Sequence, residues 1–199
     1  MSWGGSMILL VDNRDSFVWN LAEYASIFDE VKVVPNTVTL SEVKRLDPDG
    51  IIISPGPGSP ESRRDVGNSP EIVLEAEVPV LGVCLGHQII GHVFGGRVGR
   101  VKPLHGKAST VEHDGKTIFE GVKNPLKAGR YHSLAVLEVP KGFRVSAVSR
   151  EDGVVMGIRH KKRPIEGVQF HPESVLTEFE SGDGLKIVRN FVEMCRGLR

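Results

Sequence analysis

The sequence has few cysteines, no net charge and no long apolar segment. Each of these absences excludes a class of protein. Two cysteines in 199 residues cannot make a disulfide framework, which indicates a reducing compartment. Because 25 Lys and Arg offset 25 Asp and Glu, no overall field attracts nucleic acid. The apolar runs are far shorter than the about 20 residues of a membrane helix, and residues 1–6 lack the basic and apolar regions of a signal peptide. We therefore expect a cytoplasmic protein that binds neither nucleic acid nor a membrane.

The length and composition predict one globular domain. A content of 40% hydrophobic and 25% charged residues is typical of soluble proteins. A chain of 199 residues is long enough for one domain but not for two large ones. We expect a flexible leader over residues 1–6 and a single domain over residues 7–199.

The first half of the chain alternates between strand and helix patterns. Apolar runs at Met7–Val11, Val31–Val34, Gly50–Ile53 and Pro79–Val83 predict strands, and apolar residues at helical spacing lie between them. Strands that are apolar throughout are typical of parallel sheets covered on both faces. This half therefore predicts an α/β fold with a mostly parallel, doubly wound sheet and flanking helices.

The second half has a different pattern. His113-Asp114-Gly115 and Glu151-Asp152-Gly153 are hairpin signals between segments rich in Val and Ile, and they predict an antiparallel extension of the sheet. Pro164–Phe170 is a further apolar strand. The chain closes with an amphipathic helix whose apolar stripe includes Cys195, which predicts that this cysteine packs in the core.

The segment Gly82-Val83-Cys84-Leu85-Gly86 has the pattern of a nucleophile elbow, a sharp turn between a strand and a helix. The glycines permit the turn, and the helix that begins after Cys84 favours the thiolate form of its side chain. The N–H of Leu85 can then donate to a developing oxyanion. Gln88 lies about one helical turn further on and should face the same side as Cys84. The alternative is a small buried cysteine in a tight turn.

A candidate base lies in Phe170-His171-Pro172-Glu173. His171 follows an apolar strand, and Pro172 disfavours helical geometry at His171. In an extended chain Glu173 would point the same way as His171 and could orient its imidazole. The alternative is a surface loop with a helix-capping acid. Together with the cysteine elbow, the pattern predicts a Cys-His-Glu triad, and no spacing favours a metal site.

The glycine-rich loop Ser54-Pro55-Gly56-Pro57-Gly58-Ser59-Pro60 follows the third strand of the sequence pattern. It lacks the Gly-Lys-Ser/Thr of a P-loop and does not match a dinucleotide fingerprint. Glycines let the backbone approach a ligand closely, and prolines stiffen the loop. The sequence leaves two interpretations open: a rigid turn, or a second oxyanion donor from the N–H of Gly58.

The segments Gly82–Gln88 and Gln169–Glu173 resemble the class I (triad) glutamine amidotransferases, whose fold is flavodoxin-like. Three further segments, Asp12–Phe17, Pro55–Gly58 and Arg130–Leu134, resemble the small subunits of chorismate-aminating synthases. These subunits serve the synthesis of anthranilate for tryptophan or of 4-amino-4-deoxychorismate for folate. The resemblance runs from about residue 7 to the terminal helix. Arg14 departs from the aromatic residue usual in the family, outside the triad.

The resemblance implies roles for individual residues. Cys84 would attack the carboxamide of L-glutamine, His171 would transfer protons, and Glu173 would orient His171. The backbones of Leu85 and Gly58 would hold the oxyanion. The remaining substrate contacts would come from Gly56, Pro57, Gly58, Gln88, Ser133 and Leu134.

The resemblance also implies a partner. Ammonia would pass to a large chorismate-binding subunit in a hetero-oligomer, and His105, Gly106 and Lys107 would lie near that subunit. An ordinary polar turn is the alternative for these three residues. No cofactor is expected on this chain, and Mg²⁺ is expected on the partner subunit.

The favoured function is that of an anthranilate synthase subunit in tryptophan biosynthesis, and the sequence leaves other functions open. Within the family, the partner could make 4-amino-4-deoxychorismate, whereas Asp12-Asn13 and the Pro-Gly-Pro-Gly loop argue against a GMP synthetase subunit. A free-standing cytosolic γ-glutamyl hydrolase is a more distant alternative. The intact Cys84, His171 and Glu173 argue against a non-catalytic regulatory module.

Overall fold

This computed structural model describes residues 6–177 and 181–197, and the nine strands in those ranges join in one sheet. In chain order the strands are β1 (Met7–Asp12), β2 (Glu30–Pro35), β3 (Gly50–Ile53), β4 (Val80–Val83), β5 (Arg97–His113), β6 (Leu126–Glu138), β7 (Phe143–Ser149), β8 (Val155–His160) and β9 (Ile165–Val168). Their order across the sheet is β2-β1-β3-β4-β9-β8-β7-β5-β6. The first five strands in that order are parallel, and the others pair antiparallel. The predicted α/β sheet with an antiparallel extension is confirmed.

Helices cover both faces of the parallel strands. They are α1 (Val18–Ser26), α2 (Leu40–Leu46), α3 (Arg63–Val66), α4 (Ser69–Glu75), α5 (Leu85–Val93) and α6 (Asp183–Gly197). Successive side chains of a strand point to opposite faces, so Ile8 and Leu10 of β1 pack with α1 and α6, whereas Leu9 and Val11 pack with α2, α4 and α5. The sheet is therefore doubly wound. Cys195 is buried in α6, as its place on the apolar stripe predicts.

The two hairpin predictions have different outcomes. Glu151-Asp152-Gly153 does connect two paired strands, β7 and β8. The hairpin at His113-Asp114-Gly115 is wrong, because β5 pairs with β6 from Val111 and Leu126 onward and the connection spans residues 114–125. The Asp114 carboxylate pairs with Arg159 of β8, and a 3₁₀ turn follows at Thr117–Phe119. The Asp114 side chain therefore takes part in a tertiary ion pair as well as a local hydrogen bond from the Lys116 N–H.

The predicted leader and the predicted single domain can be compared with the described residues only in part. The predicted leader, residues 1–6, lies outside the described residues except for Ser6, whose hydroxyl donates to Asp29. Residues 7–199 as one domain stay a prediction, although one sheet spans the described residues from β1 to β9. Within residues 6–177 and 181–197, none of the helices is both long and apolar enough to cross a membrane.

Candidate active site

The turn from β4 into α5 is the predicted elbow. Cys84 has φ 53° and ψ −103°, a conformation that L-residues rarely adopt, and it immediately precedes the helix. A Cβ at Gly82 would lie 2.5 Å from the Gly86 backbone, and one at Gly86 would lie 2.2 Å from the Ile53 carbonyl oxygen. The glycines are therefore required by close backbone contacts. The structure confirms the sharp strand-to-helix turn that the sequence predicts.

The start of α5 supplies an electropositive environment for the Cys84 side chain. Leu85 is the first residue of this helix, so its N–H belongs to the turn whose donors have no acceptor within the helix. The positive end of the helix dipole lies at the same place. An anion next to Cys84 is thus stabilised by the backbone, which is the chemistry of an oxyanion site.

His171 and Glu173 meet beside the elbow. β9 pairs with β4, and the N–H of Cys84 donates to the carbonyl oxygen of Val168 at 2.8 Å, which places the end of β9 next to Cys84. Nδ1 of His171 lies 2.7 Å from Oε1 of Glu173, and both side chains are buried. The predicted contact is confirmed. Its predicted cause, an extended chain, is wrong, because Pro172 and Glu173 form a turn.

The charge of His171 is set by its neighbours. Burial alone would lower the pKa of this imidazole, but its interactions with Cys84 and Glu173 together outweigh burial. The pKa of His171 is therefore raised well above its usual range. Two rings, Phe17 and Tyr131, pack against the imidazole with centroids at 5.1 Å. An imidazolium held between Cys84 and Glu173 is suited to donate a proton to a leaving amine.

A small pocket opens at Cys84. Its volume is about 170 Å³, and it lies between the elbow, the glycine-rich loop and β6. It is lined by Gly56, Pro57, Gly58, Cys84, Gln88, His105, Tyr131, His132, Ser133 and Leu134. Every side chain or backbone segment predicted to bind substrate reaches this pocket, except Leu85, which adjoins it through the backbone of Cys84.

The glycine-rich loop is held rigidly at one wall of the pocket. Gly58 has φ 91°, and a Cβ there would lie 2.0 Å from a carboxylate oxygen of Asp65. At the base of the loop, the side-chain amide of the fully buried Asn13 donates to the Ser54 carbonyl oxygen at 3.0 Å. The backbone N–H of Asn13 donates to the Ser54 hydroxyl at 2.8 Å. The structure places Gly58 at the pocket, and its role as an oxyanion donor stays a prediction.

The predicted partner-facing residues lie in β5 rather than in a turn. His105, Gly106 and Lys107 are exposed, and the register of β5 against β6 shifts between His105 and Lys107. Gly106 has φ 67°, as a bulge at this point requires. His105 also lines the pocket. The alternative of an ordinary polar turn is therefore wrong, and this bulge, residues 105–107, lies beside the pocket mouth.

Sequence reasoning assigned no role to several residues that the structure places at the site. Gln169 donates from Nε2 to Sγ of Cys84 at 3.6 Å, and Tyr131 packs on His171. His132 lines the pocket, and Arg130 contacts His132. All four lie in the motifs used for the resemblance, but their contacts depend on the pairing of distant strands. In the described part of the chain, no three His, Cys, Asp or Glu side chains converge as a metal site would require.

Comparison with known proteins agrees with this geometry. The family profile described as "Glutamine amidotransferase class-I" matches residues 9–194. This chain belongs to the class I glutamine amidotransferase family. The matched range includes the elbow, the glycine-rich loop and the His171–Glu173 pair, and the match supports the predicted glutamine amidotransferase activity.

Individual amidotransferases are similar over nearly their full length. Anthranilate synthase component 2 of Thermococcus kodakarensis is 76% identical over 190 residues, which are 96% of this chain and 99% of that protein. Aminodeoxychorismate/anthranilate synthase component 2 of Bacillus subtilis is 50% identical over 197 residues, 96% of this chain and 97% of that protein. Among solved structures, that of a putative GMP synthase subunit from Thermoplasma acidophilum has a TM-score of 0.86 at 28% identity, covering 100% of this chain and 98% of that one.

Proposed function

We propose that this chain is the glutaminase subunit of an anthranilate synthase, which hydrolyses L-glutamine and passes the ammonia to a chorismate-aminating partner subunit. The observation that carries the proposal is the Cys84 elbow beside the buried His171–Glu173 pair, in a chain that is 76% identical to anthranilate synthase component 2 of Thermococcus kodakarensis. We infer that it works as one domain over residues 7–199, in the cytoplasm, where its cysteines stay reduced.

The chemistry begins with the Cys84 thiolate. Sγ attacks the carboxamide carbon of glutamine, and the N–H groups of Leu85 and Gly58 stabilise the negative oxygen of the tetrahedral intermediate. His171, protonated between Cys84 and Glu173, gives its proton to the departing nitrogen. The C–N bond breaks, ammonia leaves, and a γ-glutamyl thioester on Cys84 remains.

The second half of the reaction restores the enzyme. Neutral His171 takes a proton from water, and the resulting hydroxide attacks the thioester carbon. The C–S bond breaks, glutamate leaves, and Cys84 returns as a thiolate beside protonated His171. Glu173 stays ionised throughout and holds the Nδ1–H of the imidazole, so that Nε2 serves both proton transfers.

The remaining pocket residues suit the amino-acid end of glutamine. Gln88 and the backbone of Ser133 and Leu134 provide polar groups on the wall across from the glycine-rich loop, which contributes Gly56, Pro57 and Gly58. A pocket of about 170 Å³ fits a small substrate rather than a peptide. We infer that no cofactor acts on this chain and that Mg²⁺ serves the partner subunit.

The bulge at residues 105–107 is the proposed contact with the partner subunit. It is exposed and adjoins the pocket mouth, so a partner docked there could cover the site and receive ammonia directly. The Bacillus subtilis relative carries both names, aminodeoxychorismate and anthranilate synthase component 2, and this favours 4-amino-4-deoxychorismate synthase as the second candidate partner.

Reconstitution distinguishes the two partners. The purified chain is mixed separately with the large subunit of anthranilate synthase and with that of aminodeoxychorismate synthase from the same organism, with chorismate, Mg²⁺ and glutamine. We expect anthranilate to form with the first subunit, detected by its fluorescence. Formation of 4-amino-4-deoxychorismate alone would support the second candidate. Steady glutamine hydrolysis with no response to either subunit would support a free-standing hydrolase.

A further inference from the structure

A charged side chain with no contact to solvent lies behind the substrate wall of the pocket. The guanidinium of Arg130 in β6 is fully buried, and its Nη1 lies 2.9 Å from an Asp152 carboxylate oxygen in the β7–β8 hairpin. Nη1 also donates to the hydroxyls of Ser109 and Ser149, at 3.1 and 3.2 Å. Burying a cation is costly unless it is paired, and these three partners hold Nη1 in place.

Arg130 determines which nitrogen of His132 carries the proton. Nε of Arg130 donates to Nε2 of His132 at 3.0 Å. Because a guanidinium can only donate, Nε2 must accept, and the proton of the neutral ring is on Nδ1. Nδ1 lies 2.8 Å from the carbonyl oxygen of Leu134 and therefore donates to it. Burial and the charge of Arg130 lower the pKa of His132 to about 4, which keeps the ring neutral.

The oxygen and nitrogen ends of two side-chain amides, those of Gln88 and Gln169, can be assigned in the same way. Nε2 of Gln88 lies 2.9 Å from the Leu134 carbonyl oxygen and 3.1 Å from Oε1 of Gln169. Since the carbonyl can only accept, the amino group of Gln88 must face it, and the group of Gln169 that meets this amino group must be its oxygen. The amino group of Gln169 is thereby turned toward Cys84, where Nε2 lies 3.6 Å from Sγ.

We propose that Gln169 is a further catalytic residue that donates a hydrogen bond to the Cys84 thiolate, and that Arg130 and His132 are positioning residues that hold the Leu134 carbonyl where Gln88 bonds to it. We call this chain of contacts the relay. It runs from the Asp152–Arg130 ion pair through His132, the Leu134 carbonyl, Gln88 and Gln169 to the sulfur of Cys84. The proposal rests on the proposed glutaminase site, since it assigns Cys84 as the nucleophile.

The relay explains why polar groups are buried at this place. An amide that could flip would present its oxygen to the thiolate for part of the time, and two negative atoms in contact would repel. With the direction fixed, the sulfur always meets an N–H. A hydrogen bond to a charged acceptor is roughly twice as strong as one between neutral groups, so Gln169 favours the thiolate over the thiol.

The experiment measures the reactivity of Cys84 itself. The purified chain is treated with iodoacetamide at a series of pH values, and the alkylated Cys84 peptide is quantified by mass spectrometry, which separates it from Cys195. We expect Gln169→Leu to slow alkylation at neutral pH roughly tenfold and to move the midpoint of the pH profile upward. Gln169→Glu, which keeps the acceptor for Gln88 but turns an oxygen to the sulfur, should slow it further.

The positioning residues are tested with the same assay. Arg130→Met and His132→Leu should each slow alkylation several-fold and raise KM for glutamine, whereas His132→Asn, which keeps a donor near the position of Nδ1, should retain most of the wild-type rate. In the His132→Asn background, Arg130→Met should have little further effect on alkylation, because the relay passes through the ring of His132.

A matched control variant shows whether a change in alkylation comes from loss of the relay or from a general loss of stability. Asn190 of α6 also donates from its amide to two backbone carbonyls, Ile118 and Glu120, far from the site along the chain. Asn190→Leu should leave the alkylation profile unchanged, with circular dichroism showing that each variant is folded. An unchanged profile in folded Gln169→Leu would overturn the proposal, and so would a normal profile in both Arg130→Met and His132→Leu.

The assay needs neither chorismate nor a partner subunit, so its outcome is independent of the proposed partner. If reconstitution gives no product while alkylation follows the expected order, the relay stands and the proposed partner is wrong. If reconstitution succeeds and alkylation does not respond to Gln169→Leu, the proposed function stands and the relay is wrong.

Discussion

The parallel and antiparallel halves of the sheet differ in what they bury. The short central strands β3 and β4 are buried at every position and consist of Gly, Ile, Leu and Val. β5, β6 and β7 instead bury polar side chains, among them Ser109, Arg130, His132 and Ser149. The parallel half places Cys84 and His171 at the carboxyl ends of its strands, and the antiparallel half supplies a fixed polar wall facing them. The parallel half thus carries the side chains proposed to react, and the antiparallel half carries the polar groups proposed to orient them.

Among variants that keep Cys84, the largest effect is expected just after β9. His171→Ala removes the proposed proton-transfer group, so kcat for glutamine hydrolysis should fall roughly 10²- to 10⁴-fold. Glu173→Gln keeps an acceptor 2.7 Å from Nδ1 but loses the charge, so its loss should be smaller, roughly tenfold. Steady-state glutaminase assays of the two variants check this order. Equal and complete loss in both, with folding preserved, would show that Glu173 does more than orient His171.

A second prediction compares glycines in the two halves. Gly86→Ala puts a Cβ 2.2 Å from the Ile53 carbonyl, so the backbone must move, and the free energy of unfolding should fall by about 3 kcal/mol or more. Gly153 in the β7–β8 hairpin has φ 69° and open space around it, so Gly153→Ala should cost only about 1–2 kcal/mol. Denaturant unfolding of both variants measures the difference. Similar losses would mean that the elbow is no more tightly packed than the hairpin.

A third prediction concerns stability in acid. Burial lowers the pKa of His87, which follows the elbow, to about 3. Below about pH 6.5 the unfolded chain binds a proton at this position that the folded protein does not. Stability should therefore fall as the pH drops from about 6.5 toward 3, by up to about 1.4 kcal/mol per pH unit from this group. His87→Leu should flatten the slope, whereas an unchanged slope would show that His87 is not held neutral.

The smallest effect is expected at the bulge of β5. Lys107→Ala changes an exposed side chain outside the pocket lining, so hydrolysis by the isolated chain should stay within about twofold of wild type. Binding of the proposed partner subunit should weaken several-fold, because an exposed charge at an interface contributes a modest part of the binding energy. Titrating the partner into each protein measures this. A normal response of Lys107→Ala would remove Lys107 from the proposed interface.

The parallel half was largely predictable from the sequence, and the antiparallel half was not. Buried strands leave continuous apolar runs, so Gly50–Ile53 was predicted with its observed bounds, and the glycines around Cys84 identified the elbow. The hairpin predicted at His113–Gly115 was wrong: β6 begins only at Leu126, and Asp114 pairs with Arg159 of β8, a tertiary contact that no local pattern shows. The contacts of Arg130 follow from pairing among β5, β6 and β7, which no local pattern encodes.

The proposed division between this chain and its partner is tested most directly at Cys84. In the proposed complex with a large synthase subunit, Cys84→Ala should abolish the release of ammonia from glutamine and leave the chorismate chemistry on the other chain intact. Product formation is measured with glutamine and, separately, with an ammonium salt as nitrogen source. The account predicts no product from glutamine and wild-type product formation from ammonium. Loss of both activities in an assembled complex, or retention of the glutamine-dependent one, would contradict it.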